Sequence, residues 1–83
     1  MDRLLRTING KAGKVILEHM CFGREIFRCE QIKIISDDSR LGVCINGHDS
    51  YVRKDGVNLF KMNENMFIVA DDFLQITIIV NKR

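Results

Sequence analysis

The sequence predicts a mainly β domain: a small, strongly bent antiparallel barrel with a short helix at its N-terminal end. Three observations carry this. Near the C-terminal end, Leu74, Ile76, Ile78 and Val80 alternate with Gln75, Thr77 and Ile79, the period-two pattern of a strand with one face in a core. Weaker copies recur upstream between Asp/Asn/Gly turn signals about 8–12 residues apart, the spacing of a β-barrel or sandwich. The chain has no proline, so no strand is demoted to an edge, and no intervening segment is long enough for the crossover helix of a βαβ unit.

Taken in order, residues 2–9 predict a short amphipathic helix. Asp2 serves as N-cap, Leu4, Leu5 and Ile8 fall on one side, and Gly10 and Gly13 end it. So short a helix must pack on something to persist. Residues 14–20 carry Val15-Ile16-Leu17 and read as a strand, with a turn around Phe22-Gly23-Arg24. Residues 25–35 are long for one strand and change phase partway, since Ile26 and Phe27 start on opposite faces and Ile32, Ile34 and Ile35 finish. That break predicts a bend or bulge, the device by which a small sheet curls. Ser36-Asp37-Asp38-Ser39-Arg40 is a turn in which Asp and Ser cap local backbone donors. Leu41, Val43 and Ile45 then alternate up to Asn46-Gly47, the strongest hairpin signal in the chain. Residues 50–53 return as a strand, Lys54-Asp55-Gly56 turns, and residues 57–62 extend again. Asn63-Glu64-Asn65 and Asp71-Asp72 bound two further strands within residues 63–83.

Eighty-three residues make one domain, spanning 1–83, whose folded state buries roughly 60–65% of its unfolded surface. Its core is therefore thin, and a chain of this size gains from self-association. A hydrophobic fraction of 46% with 29% charged residues excludes intrinsic disorder. The net charge of +2 is too small to imply a polyanion partner, but it is unevenly spread. Residues 1–33 hold seven bases against four acids, whereas residues 34–72 hold four bases against seven acids. Such polarity steers a partner or lets subunits pack head to tail. Three cysteines without a C-x-x-C pair, and no secretory signal, predict a reducing cytoplasmic setting with thiols acting as small apolar residues. Apolar runs fall far short of the ~20 residues a membrane-spanning helix needs.

The chemistry-bearing residues give no enzyme motif. His19, Cys21, Cys29, Cys44 and His48 are the natural metal candidates, but the paired C-x₂₋₄-C ligands of structural zinc sites are missing. The expectation is no metal, no cofactor and no small-molecule substrate. Cys44, His48 and Asp49 flank one hairpin turn and invite a nucleophile–base reading, yet turn chemistry accounts for Asn46, Gly47 and Asp49. Asp37-Asp38 and Asp71-Asp72 read as turn residues, because neighbours on a strand point to opposite faces. Tyr51, Arg53 and Lys54 combine an aromatic face with two cations in one short strand and turn, the mix that holds bases and phosphates. Asp49 and Asp55 beside them oppose that use.

A short helix followed by about five bent antiparallel strands resembles the Sm-like barrels, an SH3-like architecture whose bacterial members include Hfq. The segment Tyr51-Val52-Arg53-Lys54-Asp55-Gly56-Val57-Asn58-Leu59-Phe60 is similar to the family's second motif, where a strand ends in a basic residue and tight turn before the last strand. The resemblance implies a homo-oligomeric ring with Arg53 and Lys54 at its RNA-facing rim and the loop 37–40, ending in Arg40, as the second RNA-facing loop. The chain departs from the pattern in three ways. It lacks the usual strand-two glycine within residues 25–35, it has Lys54-Asp55-Gly56 for the Arg-Gly pair, and it adds strands in residues 63–83.

Two functions are therefore expected of this non-enzymatic domain: an Sm-like oligomeric module that binds RNA through Arg40, Tyr51, Arg53 and Lys54, or a protein-interaction and assembly module without nucleic acid, such as serves a phage or mobile-element complex. Ile79 bears on both. It sets an apolar group on the face of the last strand that should be wet in a two-layer domain, and so marks a subunit contact.

Overall fold

The computed structural model describes residues 7–81. Eight strands follow in order: β1 (Gly13–His19), β2 (Gly23–Cys29), β3 (Lys33–Ser36), β4 (Arg40–Ile45), β5 (His48–Arg53), β6 (Leu59–Met62), β7 (Met66–Ala70) and β8 (Leu74–Val80), with a 3-10 turn, Lys54–Gly56, between β5 and β6. They form a five-stranded sheet in the order β2-β1-β8-β7-β6 and a three-stranded sheet in the order β3-β4-β5, and every pairing is antiparallel. A radius of gyration of 11.6 Å equals the roughly 12 Å of a single compact domain of this length.

The turns are built by the side chains that the sequence places there. Oδ1 of Asp37 accepts the N–H groups of Ser39 and Arg40, Oδ1 of Asn63 those of Asn65 and Met66, and Oδ1 of Asp71 those of Phe73 and Leu74. Three strand connections thus use the same device, a short side-chain carbonyl or carboxylate standing in for a backbone acceptor. Asn46 and Gly47, at φ 51° and 81°, form the tight left-handed turn that joins β4 to β5.

The phase change in residues 25–35 is a change of sheet. β2 ends at Cys29 on the edge of the large sheet, Glu30 to Ile32 cross over, and β3 starts at the edge of the small one. A closed barrel would need those two strands to run on as one bent strand. Because they separate, the described strands form two open sheets, and the expected barrel does not close. The helix expected over residues 2–9 lies largely outside the described residues; Thr7 and Ile8 carry helical backbone, and Ile8 is buried. The crossing segment is pinned to that end of the chain, since Gly10 N–H donates to the Ile32 carbonyl at 2.7 Å and Ile32 N–H to that of Lys11 at 2.8 Å.

The core lies between the sheets. Val15 and Leu17 of β1, Ile76 and Ile78 of β8, and Phe67 and Val69 of β7 meet Leu41 and Val43 of β4, Val52 of β5 and Ile32. Phe60 packs edge-to-face on Phe67 at 5.2 Å between centroids, the arrangement aromatic quadrupoles prefer. The alternation in β8 holds as expected: Ile76 and Ile78 are fully buried, and Leu74 and Val80 pack against the core. No helix among the described residues is long and apolar enough to cross a membrane.

Candidate binding surfaces

The four predicted nucleic-acid residues come together at one corner of the small sheet. In the β4–β5 pairing Arg40 lies opposite Arg53 and Gly42 opposite Tyr51, so Arg40, Tyr51 and Arg53 share the outward face. Lys54 follows at the start of the 3-10 turn, its N–H bonded to the Ser39 carbonyl at 2.9 Å, which ties that turn to the loop 37–40. The guanidinium of Arg40 sits 5.1 Å from the centroid of the Tyr51 ring, within cation–π range.

The electrostatics of this corner oppose a polyanion. Arg40 Nε donates to Asp37 Oδ2 at 2.7 Å, and its Nη1 lies 3.7 Å from Asp49 Oδ2. Arg53 Nε lies 3.6 Å from Asp55 Oδ1. Donation from the Ser39 N–H and from the Arg40 side chain holds the Asp37 carboxyl below the usual carboxylate range. Arg40 thus spends its charge on two aspartates and an aromatic face. Phosphate would have to displace these contacts rather than meet open cations.

Space at this corner depends on a residue the sequence reading passed over. A Cβ on Gly42 would collide with the Ser50 carbonyl and the Tyr51 Cα. Glycine therefore lets β5 approach β4 closely enough to lay Tyr51 over the ladder. Nothing in the local pattern Leu41-Gly42-Val43 signals this beyond a glycine inside a strand, which is itself a mark of close backbone approach.

Ile79 lies on a second surface, the outer face of the large sheet. Pairing across four strands aligns Ile26 of β2, Ile16 of β1, Thr77 of β8 and Ile68 of β7 in one row. The next row aligns Arg28, Lys14, Ile79 and Met66, and the row on the other side Arg24, Glu18, Gln75 and Ala70. The outward isoleucines range from half-buried to exposed, and they stand outside the core cluster. An apolar band thus crosses the middle of the sheet, with Lys14 on one side of it and Glu18 on the other.

The other sequence candidates separate. Cys44 pairs with Asp49 and His48 with Ile45, so the thiol and the imidazole point to opposite faces of their hairpin. Cys21 does not share a strand face with His19, because β1 ends at His19 and Cys21 stands exposed in the following turn. The reading of the thiols as packed apolar groups therefore holds for Cys29 and Cys44, both half-buried, and fails for Cys21. Burial raises the pKa of the Cys29 thiol. His19 Nε2 lies 3.5 Å from Glu25 Oε1 at the mouth of a cleft of about 300 Å³ between the sheets, floored by Leu17, Phe27 and Ile45. That is the lower bound of ligand-pocket volumes. Among the described residues no three His, Cys, Asp or Glu side chains are grouped to hold a metal.

Sequence reasoning also missed an exposed apolar tip. Met20 and Phe22 in the β1–β2 turn are 75% and 89% exposed, and Phe73, before β8, is 75% exposed. Met20 N–H donates to the Phe73 carbonyl at 3.0 Å, so the two turns stand side by side. The signal was available in Met20-Cys21-Phe22, large apolar residues where a turn was expected. Comparison with protein-family models, curated proteins and solved structures finds no match for this chain.

Proposed function

We propose that this chain is a non-enzymatic assembly module whose copies associate through the outer face of the large sheet. The apolar band of Ile16, Ile26, Ile68 and Ile79 carries the reading, because a sheet face turned to water should be polar. The occupant is a second copy, for a reason of charge. A two-fold axis lying across the strands through the Ile16 row sets Lys14 of each copy over Glu18 of the other, Ile16, Ile26 and Ile68 over their own counterparts, Ile79 over Gln75, and Arg28 over Arg24. That is the self-complementarity an isologous contact requires. Sheets packed face to face cross at about 30°, which leaves the arginines of edge strand β2 at the wet rim.

Size fixes the strength. Four strand spacings of about 4.8 Å and a strand rise of about 20 Å give a footprint of roughly 400 Å², half the ~800 Å² per partner of a standard interface. The contact is therefore weak and reversible. Sedimentation velocity over a wide concentration range tests it. The wild type should dimerise, and Ile79→Lys should stay monomeric with an unchanged far-ultraviolet circular dichroism spectrum. Lys14→Glu should weaken the dimer, and Lys14→Glu with Glu18→Lys should restore it. A wild type that remains monomeric at concentrations on the order of 1 mM, where even a weak specific contact is populated, refutes the reading.

A second reading follows the resemblance to Sm-like modules: a ring that binds RNA at the corner of Arg40, Tyr51, Arg53 and Lys54. The meeting of those four residues at one corner favours it, and the three aspartates there weigh against it. Its test is the salt dependence of binding to short single-stranded RNA. Removing Arg53 and Lys54 together should lower the slope of log K against log salt by about 1.4, at ~0.7 per phosphate contact. Absence of binding at low salt sinks this reading and leaves the assembly reading untouched.

A further inference from the structure

From the tip and the groove at opposite ends of β2 we infer a second, head-to-tail contact, in which the tip of one copy enters the groove of the next. Its apolar contacts use different residues from the sheet-face contact and do not depend on it, although Lys14 and Glu18 stand beside both. The tip is Met20, Phe22 and Phe73, three large apolar side chains at least three-quarters exposed on adjoining turns. Single exposed apolar residues are ordinary, but a contiguous group marks a binding surface. Its collar is acidic: Glu18 and Glu25 on the hairpin and Asp71 and Asp72 beside Phe73, against Arg24 alone.

The groove opens where the sheets part, between the C-terminal half of β2 and the β4–β5 hairpin. It holds about 620 Å³ and is lined by Phe27, Cys29 and Ile45 on its inner side, with Arg28, Lys33 and Cys44 towards its rim. Lys14 lines the adjoining cleft, so the three bases at this end outnumber the two acids, Glu30 in the lining and Asp49 beside Cys44 across the β4–β5 ladder. From Phe22 to Arg28 is six residues of extended chain, about 20 Å, so a molecule's tip does not reach its own groove. A second copy supplies an apolar plug of the right sign of charge. The contact is heterologous, and it propagates into a ring or a filament according to the rotation between copies.

The cysteines provide the test. Cys21 lies in the tip, and Cys29 and Cys44 lie in the groove. Disulfide geometry needs Cα atoms within about 7 Å, so a Cys21–Cys29 or Cys21–Cys44 bond forms only between molecules. Oxidation with diamide, which takes the two electrons and two protons released by the thiol pair, followed by peptide mass mapping should find those links. Phe22→Ser with Phe73→Ser, both at exposed positions, should reduce them by about tenfold or more per phenylalanine, the effect of losing an aromatic anchor, with the circular dichroism spectrum unchanged. High salt should reduce them too. Only Cys21–Cys21 links, no links at all, or a yield unaltered in the double variant would overturn the inference. Ile79→Lys separates the two contacts: it should abolish the sheet-face dimer and leave the tip-to-groove links in place.

Discussion

Replacing Gly42 by alanine tests the account of the β4–β5 corner most directly. The added Cβ meets backbone, the Ser50 carbonyl and the Tyr51 Cα, and the Tyr51 Cβ at 2.7 Å, so no side-chain rotation relieves the clash and β5 must move away from β4. Overpacking of this kind costs about 1–3 kcal/mol, and displacing Tyr51 from Arg40 forfeits a further ~0.5–1 kcal/mol of cation–π attraction. Against this, alanine lowers the entropy of the unfolded chain, worth about 0.4–1 kcal/mol in the other direction. The balance is a loss of roughly 1–3 kcal/mol, out of the ~4–12 kcal/mol that a domain of this length has at ~0.05–0.15 kcal/mol per residue. At about 4–8 °C per kcal/mol, Tm should fall by roughly 5–20 °C in thermal unfolding followed by circular dichroism. The chain has one tyrosine and no tryptophan, so its intrinsic fluorescence reports Tyr51 alone and should change in the folded variant. Gly56→Ala is the control: nothing lies nearer its Cβ than Asp71 Cβ at 3.9 Å, and its Tm should hold or rise slightly. A Gly42→Ala protein as stable as the wild type, with unaltered tyrosine emission, would refute the close-approach argument.

Three other outcomes are expected. Asp37 is held ionised in the folded state, so its pKa there is below the unfolded value of about 3.9. Its contribution to stability is complete above that value and is lost as pH falls through the lower, folded pKa. Carbon-detected NMR titration should place the Asp37 midpoint below that of a model peptide, and a midpoint at or above it counts against the turn geometry. Phe67→Ala removes a fully buried ring and its edge contact with Phe60, at about 3–5 kcal/mol. Urea unfolding should show a loss of that size, about a quarter or more of the domain's stability, and a loss under ~1 kcal/mol would mean that Phe67 is not in the core. Gly47→Val forces a β-branched residue to φ 81° and should cost at least the ~1–2 kcal/mol of a left-handed residue, read as a drop in Tm with the strand signal retained.

Local chemistry made much of this fold legible. The turns at Asp37, Asn63 and Asp71 and the hairpin at Asn46-Gly47 depend on side chains bonding to their own neighbours or on tolerated φ values, and both are properties of a few adjacent residues. The alternation in β8 was legible for the same reason. What escaped was set by which strands meet. The phase change before Ile32 fits a bend as well as a change of sheet, and only the partners of β2 and β3 separate the two. Gly42 matters because of Ser50 and Tyr51 across the ladder, so its own neighbours do not announce it. In sequence Arg40 stood only as the end of an RNA-facing loop, and Asp49, nine residues on, pairs with it only through the β4–β5 register.

Ile79 shows how far a pattern can be pushed before geometry has to take over. Period two says only that one apolar residue of β8 faces away from the core. Placing β8 at the centre of five strands turns that residue into part of a band, because Ile16 and Ile26 on one side and Ile68 and Met66 on the other fall into the same or the next row. The band has a cost. Isoleucines facing water add nothing to a core that is already thin in a chain of 83 residues, and they expose the domain to association. A domain with so little burial to spare gains by covering that face with a copy of itself, since burial at a contact stabilises the fold in proportion to the population bound. In the proposed dimer, the charges of Lys14 and Glu18, set on either side of the band, favour the orientation that brings each over the other.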